Sequence, residues 1–115
     1  MATFCNIYGQ VLYKIEGKFI KDFYGQYLYI IDGDCIKEWA SRQVIYKFEN
    51  GYIKNFYGQM LYKFDGENFK DFYGRTLYVY RNNQVSRFAG LPEYKIRDSA
   101  TEREVAILIL LCVPK

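Results

Sequence analysis

The sequence Phe23-Tyr24-Gly25-Gln26-Tyr27-Leu28-Tyr29 decides the fold of this chain, because closely similar stretches recur along its length. They occupy residues 7–13, 56–62 and 72–78. A short repeat of this kind is a single supersecondary unit that cannot bury its apolar face alone, so stability comes from packing against neighbouring units. The repeat therefore predicts an architecture before it suggests any function.

Alignment on the tyrosine that follows leucine extends the repeat to six copies. The tyrosines of this column are separated by 16, 17, 16, 16 and 16 residues, and they are Tyr13, Tyr29, Tyr46, Tyr62, Tyr78 and Tyr94. A second, mostly aromatic column consists of Ile7, Phe23, Trp39, Phe56, Phe72 and Phe88. The third and sixth copies are degenerate, with Trp39-Ala40-Ser41 and Phe88-Ala89-Gly90 in place of the Phe-Tyr-Gly motif.

Each unit is predicted to contain two short strands and two turns, typified by strands 19–23 and 27–31. Turn sequences such as Asp32-Gly33-Asp34 tolerate positive φ angles and suit hairpins. Strands at such short, regular spacing are typical of an all-β meander, barrel or radial repeat. Ile20 and Phe23 would point to opposite faces of a regular strand, which indicates that both faces of the sheet are partly covered.

The predicted fold is therefore mainly β: six hairpin repeats in a closed, flower- or barrel-like radial arrangement. Closure would remove the unpaired edges of a repeated sheet. Residues 3–7 occupy the same position in the repeat as residues 85–88, so the first strand is expected beside the last unit. The residue pattern leaves open whether the ring closes and how many petals it contains.

The C-terminal segment, residues 99–115, interrupts the repeat of residues 1–98. Ser99 and Glu102 form a capping-box sequence that predicts a helix start, and the apolar residues 105–113 follow, ended by Pro114. A buried strand is the alternative, because several of these residues are β-branched. A helix that is apolar on all sides is normally buried, so we expect it to pack on the repeat domain or in a homo-oligomer interface formed by residues 105–113.

Composition excludes several classes of function. The chain of 115 residues has no histidine, three widely spaced cysteines and a net charge of +3, so no metal site, disulfide framework or cofactor is expected. A lysine recurs in each of several units, but acidic or amide neighbours follow it, which argues against nucleic-acid binding. The N-terminus lacks a signal-peptide pattern and nine apolar residues do not span a bilayer, so the prediction is a cytoplasmic protein without membrane association.

An enzymatic function is not expected, because turn chemistry explains the acidic residues near the turns and no nucleophile, base and orienting group can be assembled. The candidate ligand-binding residues are Tyr24, Tyr57 and Tyr73, each beside a turn glycine. Exposed, they would form stacking platforms for sugars, bases or the apolar groups of a partner. The favoured interpretation is structural: the rings cover the glycine backbone and pack on the next hairpin.

The repeat resembles that of the bacterial four-fold β-flower domain family. Thr3-Phe4-Cys5-Asn6-Ile7-Tyr8-Gly9 is similar to the family's opening segment, and residues 20–28 and 53–61 are similar to its repeated unit. The resemblance covers residues 3 to about 98 and implies β-hairpin petals around a central axis, with no assigned activity or catalytic residues. Tyrosine after leucine and the apolar C-terminal segment depart from the family pattern.

Two functional hypotheses follow from the sequence. The first is a non-catalytic interaction or assembly module with an unknown protein partner or with itself. The alternative is a carbohydrate-binding module that uses Tyr24, Tyr57 and Tyr73.

Overall fold

A computed structural model of the chain describes residues 2–98 and 100–113, which form twelve strands and one helix. The strands are β1 (Ala2–Asn6), β2 (Val11–Glu16), β3 (Phe19–Asp22), β4 (Tyr27–Asp32), β5 (Cys35–Glu38), β6 (Val44–Glu49), β7 (Tyr52–Asn55), β8 (Met60–Phe64), β9 (Asn68–Asp71), β10 (Thr76–Arg81), β11 (Gln84–Arg87) and β12 (Pro92–Arg97). The helix is α1 (Glu102–Cys112). Each sequence repeat supplies one pair of strands.

The twelve strands form a closed antiparallel barrel in which every strand pairs with its neighbours in sequence. The ring closes where β1 pairs with β12, from Thr3 opposite Arg97 to Asn6 opposite Tyr94. The predicted fold class and the predicted position of the first strand beside the last unit are therefore confirmed. Closure pairs both edges of the sheet, which a repeated open sheet would leave exposed.

A β-bulge recurs at the same position of every repeat, and it explains the imperfect alternation of the sequence. Tyr29 lies opposite Ile20 and Tyr27 lies opposite Lys21, so Leu28 is the extra residue. The equivalent residues in the other units are Leu12, Ile45, Leu61, Leu77 and Glu93. A bulge bends the strand and increases its twist, and six of them curve the sheet into a ring.

The helix fills the interior of the barrel. Six consecutive helical residues, Val105–Leu110, are at most 5% exposed, and consecutive residues point in all directions around a helix. They share one hydrophobic cluster with inward side chains of the strands, among them Phe4, Phe64 and Phe69. About eight strands enclose a space that side chains alone can fill, so a barrel of twelve strands needs an additional element of about a helix's diameter.

The cap of the helix lies two residues after the predicted one. Thr101 is the N-cap: its side chain accepts a hydrogen bond from the Glu104 amide, and the Glu104 carboxylate accepts one from the Thr101 amide. The prediction of a Ser99–Glu102 box is wrong, since Thr101 is the N-cap and Glu102 is the first helical residue. Ser99 itself and Pro114 lie outside the described residues. Thr101 and Glu104 have the same capping-box spacing and directly precede the apolar residues.

The predicted helix is thus confirmed over the predicted strand alternative, and its position is inside the barrel. Its first turn is also bound to a hairpin, because the Arg103 guanidinium donates hydrogen bonds to the Gly33 carbonyl and to the Asp34 carboxylate. Since the side chains of residues 105–110 are buried by the chain's own strands, they offer no surface to a second copy. Within the described ranges, no helix is long and apolar enough to cross a membrane.

Truncation of the helix side chains tests this arrangement. Leu108 is fully buried in the barrel, and we expect Leu108→Ala to lower the free energy of unfolding by about 2–5 kcal/mol, because it removes apolar contacts and leaves a cavity. Leu91→Ala is the matched control, since this leucine is 84% exposed and surface changes usually stay within about 0.5 kcal/mol. Urea unfolding measures both; equal effects would contradict the central position of the helix.

Candidate binding rim

One end of the barrel carries all six connections that run from an odd-numbered to an even-numbered strand. In an antiparallel ring these connections share one end, and the hairpin turns between even and odd strands share the other. We call this end the aromatic rim and define it by residues 7–10, 23–26, 39–43, 56–59, 72–75 and 88–91. It contains the Phe-Tyr-Gly motif of the repeat.

Four of the six rim turns are held by the same side-chain hydrogen bonds. Asp22 Oδ1 accepts from the backbone amides of Tyr24 and Gln26, at 2.9 Å each. The equivalent acceptors of the other three turns are Asn6, Asn55 and Asp71. The glycine of each turn has a positive φ, as at Gly25 with +85°, a conformation that other residues adopt only with strain. Residue 24 and its equivalents are thereby fixed at the tip.

The tyrosines at these tips point into solvent. Tyr24, Tyr57 and Tyr73 are 77%, 85% and 80% exposed, so the favoured interpretation, in which they pack on the next hairpin, is wrong. The reason is the tight turn, which projects the tip residue away from both flanking strands. The structure therefore places all three candidate residues on the rim surface.

The phenylalanine column lies on the same surface, which was not predicted from the sequence. Phe23, Phe56, Phe72 and Phe88 are between 57% and 65% exposed. Among the described residues, the large hydrophobic side chains that are exposed all belong to this rim or directly follow one of its turns. The remaining ones are Tyr8, Tyr27 and Leu91. The signal that could have revealed them is the bulge, because the extra residue shifts the in–out alternation next to each turn.

The tyrosines that follow leucine form a different, inner group around the C-terminal end of the helix. Tyr13, Tyr78 and Tyr94 pack against the core cluster, and the Tyr78 hydroxyl lies 3.4 Å from the Cys112 carbonyl oxygen. Burial raises the pKa of all three phenols. Burial also raises the pKa of the Cys112 thiol to about 12, so this thiol is protonated at neutral pH and is a poor nucleophile.

Two clefts lie between neighbouring turns of the rim. The first, of about 670 Å³, is lined by Gln43, Val44, Ile45, Tyr46, Asn55, Phe56, Tyr57 and Leu61. The second, of about 570 Å³, is lined by Gln59, Met60, Leu61, Tyr62, Asp71, Phe72 and Tyr73. Both volumes fall in the range of small-molecule sites. Each lining combines an aromatic pair, aliphatic or thioether side chains, and amide or carboxylate groups.

Charges are arranged differently from the sequence expectation. Two of the recurring lysines, Lys21 and Lys70, precede the carboxylates of Asp22 and Asp71, which accept hydrogen bonds from the turn amides. Three of the recurring lysines contact the acidic residue five positions earlier on the outer wall, in the pairs Lys21–Glu16, Lys37–Asp32 and Lys54–Glu49. Surface pairs of this kind contribute little to stability. The three lysines lie on β3, β5 and β7 and do not belong to the rim residues.

Comparison with known proteins identifies no relative of this chain. No family model, no curated protein and no solved structure matches the chain. The fold defines the molecule as a closed antiparallel β-barrel with a central helix. Its function is therefore inferred from the rim.

The acid sensitivity of a rim turn can be tested at Asp71. Partial burial opposes ionisation of this carboxyl, but the amide and the guanidinium of Arg75 outweigh it and lower its pKa. A lowered pKa in the folded state adds stability above the unfolded pKa of about 3.9, and this contribution is lost as the pH falls through the folded value. We therefore expect Asp71→Asn to reduce the acid-induced loss of stability, measured by urea unfolding between pH 6 and pH 2.

The chain itself supplies the controls for this experiment. Asn6 and Asn55 occupy the same position and accept the equivalent two amides, so an asparagine at position 71 keeps the turn hydrogen bonds and removes the titrating charge together with its ion pair to Arg75. Asp71→Ala, which removes the acceptor, should instead destabilise the protein at every pH. An unchanged pH profile for Asp71→Asn would mean that this carboxylate does not contribute to acid unfolding.

Proposed function

We propose that this protein is a non-catalytic interaction module that binds its ligand or partner at the aromatic rim. The supporting observation is the distribution of exposed apolar side chains, which among the described residues gather at one end of the barrel. A large patch of exposed apolar side chains on a protein surface marks a binding site. Scattered surface aromatics would need no such explanation.

The contrast between the two ends of the barrel supports the same conclusion. The turns at the opposite end consist of polar residues and glycine, at positions 17–18, 33–34, 50–51, 65–67 and 82–83. Both ends solve the same problem of reversing the chain, so turn formation alone does not require aromatic residues. The rings at the rim are therefore better explained by recognition than by folding.

The rim is also preorganised for binding. Tyr24, Tyr57 and Tyr73 follow side-chain acceptors that fix the backbone of their turns. Rigid aromatic side chains bury a large area at a small entropic cost when they bind, and fixed loops reduce that cost further. The resemblance of the repeat to β-flower domains is part of this proposal for the architecture, and that family has no assigned activity.

A triple rim variant tests this function. We expect Tyr24→Ser, Tyr57→Ser and Tyr73→Ser together to reduce binding by the immobilised protein at least tenfold, because they remove three exposed rings. The measurement compares the material retained from cell protein and polysaccharide fractions, together with self-association by sedimentation velocity. The control carries Lys18→Ser and Lys95→Ser, which are exposed residues away from the rim. Equal retention and equal self-association of the wild type and the rim variant would refute the proposal.

A further inference from the structure

The two rim clefts are copies of one another. Seven residues that line the first cleft have counterparts exactly one sixteen-residue repeat later in the second, from Gln43 and Gln59 to Tyr57 and Tyr73. Their aromatic pairs also have the same geometry: the ring centroids of Phe56 and Tyr57 are 5.3 Å apart at 79°, and those of Phe72 and Tyr73 are 5.2 Å apart at 79°. Leu61 contributes to both clefts. Two equivalent sites side by side fit a ligand that itself repeats.

The walls of the clefts combine the groups that recognise a sugar ring. A pyranose presents a face of C–H groups, which packs on an aromatic ring, and a periphery of hydroxyls, which needs planar polar partners. Tyr57 and Tyr73 provide exposed rings. Gln59 has bonding capacity left, since its Oε1 accepts from Asn55 Nδ2 while its own amide donors have no partner among the hydrogen bonds of this turn.

The charges of the clefts select a neutral ligand. The residues that line the first cleft are all uncharged. The second contains one carboxylate, Asp71, and its charge is balanced by Arg75, with Nε 3.0 Å from Oδ2. A phosphate or an anionic lipid headgroup would therefore find no excess positive charge here, and a cationic ligand would find no excess negative charge.

We infer that the two clefts are consecutive subsites for a neutral oligosaccharide, with Tyr57 and Tyr73 as stacking platforms and Gln59 as a hydroxyl partner. This inference rests on the proposed function of the rim and gives it a ligand class. Equivalent residues of adjacent hairpins are two strands apart, which is about 10 Å. A ligand must span that distance to occupy both subsites, and linking the two binding events then raises the overall affinity.

Titration with neutral oligosaccharides of one to six units, chosen from a glycan array, tests this inference by calorimetry. Affinity should rise with length until both subsites are filled and then remain constant. Tyr57→Ser and Tyr73→Ser should each weaken the binding of the longer ligands about tenfold and remove the dependence on length. Gln59→Leu should also weaken binding, because it removes the hydroxyl partner. If the ligand of the rim were apolar, the same variant would bind it more tightly.

Tyr8→Ser is the matched control, because Tyr8 is 90% exposed and sits on the same type of turn outside the two clefts. It should leave the affinity unchanged, and all variants should retain the wild-type unfolding profile. The inference is overturned by an array without any bound neutral glycan, by affinity that is independent of length, or by an equal loss in Tyr8→Ser. If the rim binds proteins, lipid vesicles or a second copy but no sugar, the ligand class is wrong and the proposed function stands. If the wild type and the triple rim variant retain the same material, the proposed function is wrong as well.

Discussion

The burial of an apolar helix inside the barrel is the interaction on which the rest of this structure depends. Twelve short strands enclose more space than their own side chains can fill, and an unfilled interior would cost stability in proportion to its volume. Residues 105–110 fill it from the axis outward. The helix in turn has no polar face and requires a surrounding that is apolar on every side. The repeats and the helix therefore share one hydrophobic core.

This arrangement also separates stability from recognition. Inward side chains such as Ile20 and Phe69 belong to the same buried cluster as the helix, whereas the tyrosines at the tips of the rim turns are largely exposed. The rim can therefore vary in sequence without loss of the barrel, as the two degenerate repeats illustrate. Ala40 and Ala89 replace the tip tyrosine there, and the positive φ moves to Arg42 and Ala89. A fold that tolerates such changes is a suitable support for a binding surface.

Repetition gives this surface its particular character. A single exposed aromatic pair would be an ordinary surface feature, but adjoining hairpins present the same pair in the same geometry at Phe56–Tyr57 and Phe72–Tyr73. The pair at Phe23–Tyr24 is closer and more nearly parallel, with centroids 3.9 Å apart at 36°, in a part of the ring where Trp39 and Tyr27 also pack together. The rim thus offers equivalent neighbouring sites on one side and a distinct arrangement on another.

The sequence by itself determined the repeat, its strands and turns and the helix, because each depends on local spacing and residue type, whereas it left open whether the ring closes, which the pairing of β1 with β12 decides. It did not determine which aromatic residues are exposed. Tyr29 and Tyr24 are both tyrosines within one repeat, yet one packs on the core and the other projects into solvent, since a bulge and a tight turn between them change the direction of the side chains. The clefts likewise require two hairpins to lie side by side. Only the closed tertiary structure brings those walls together.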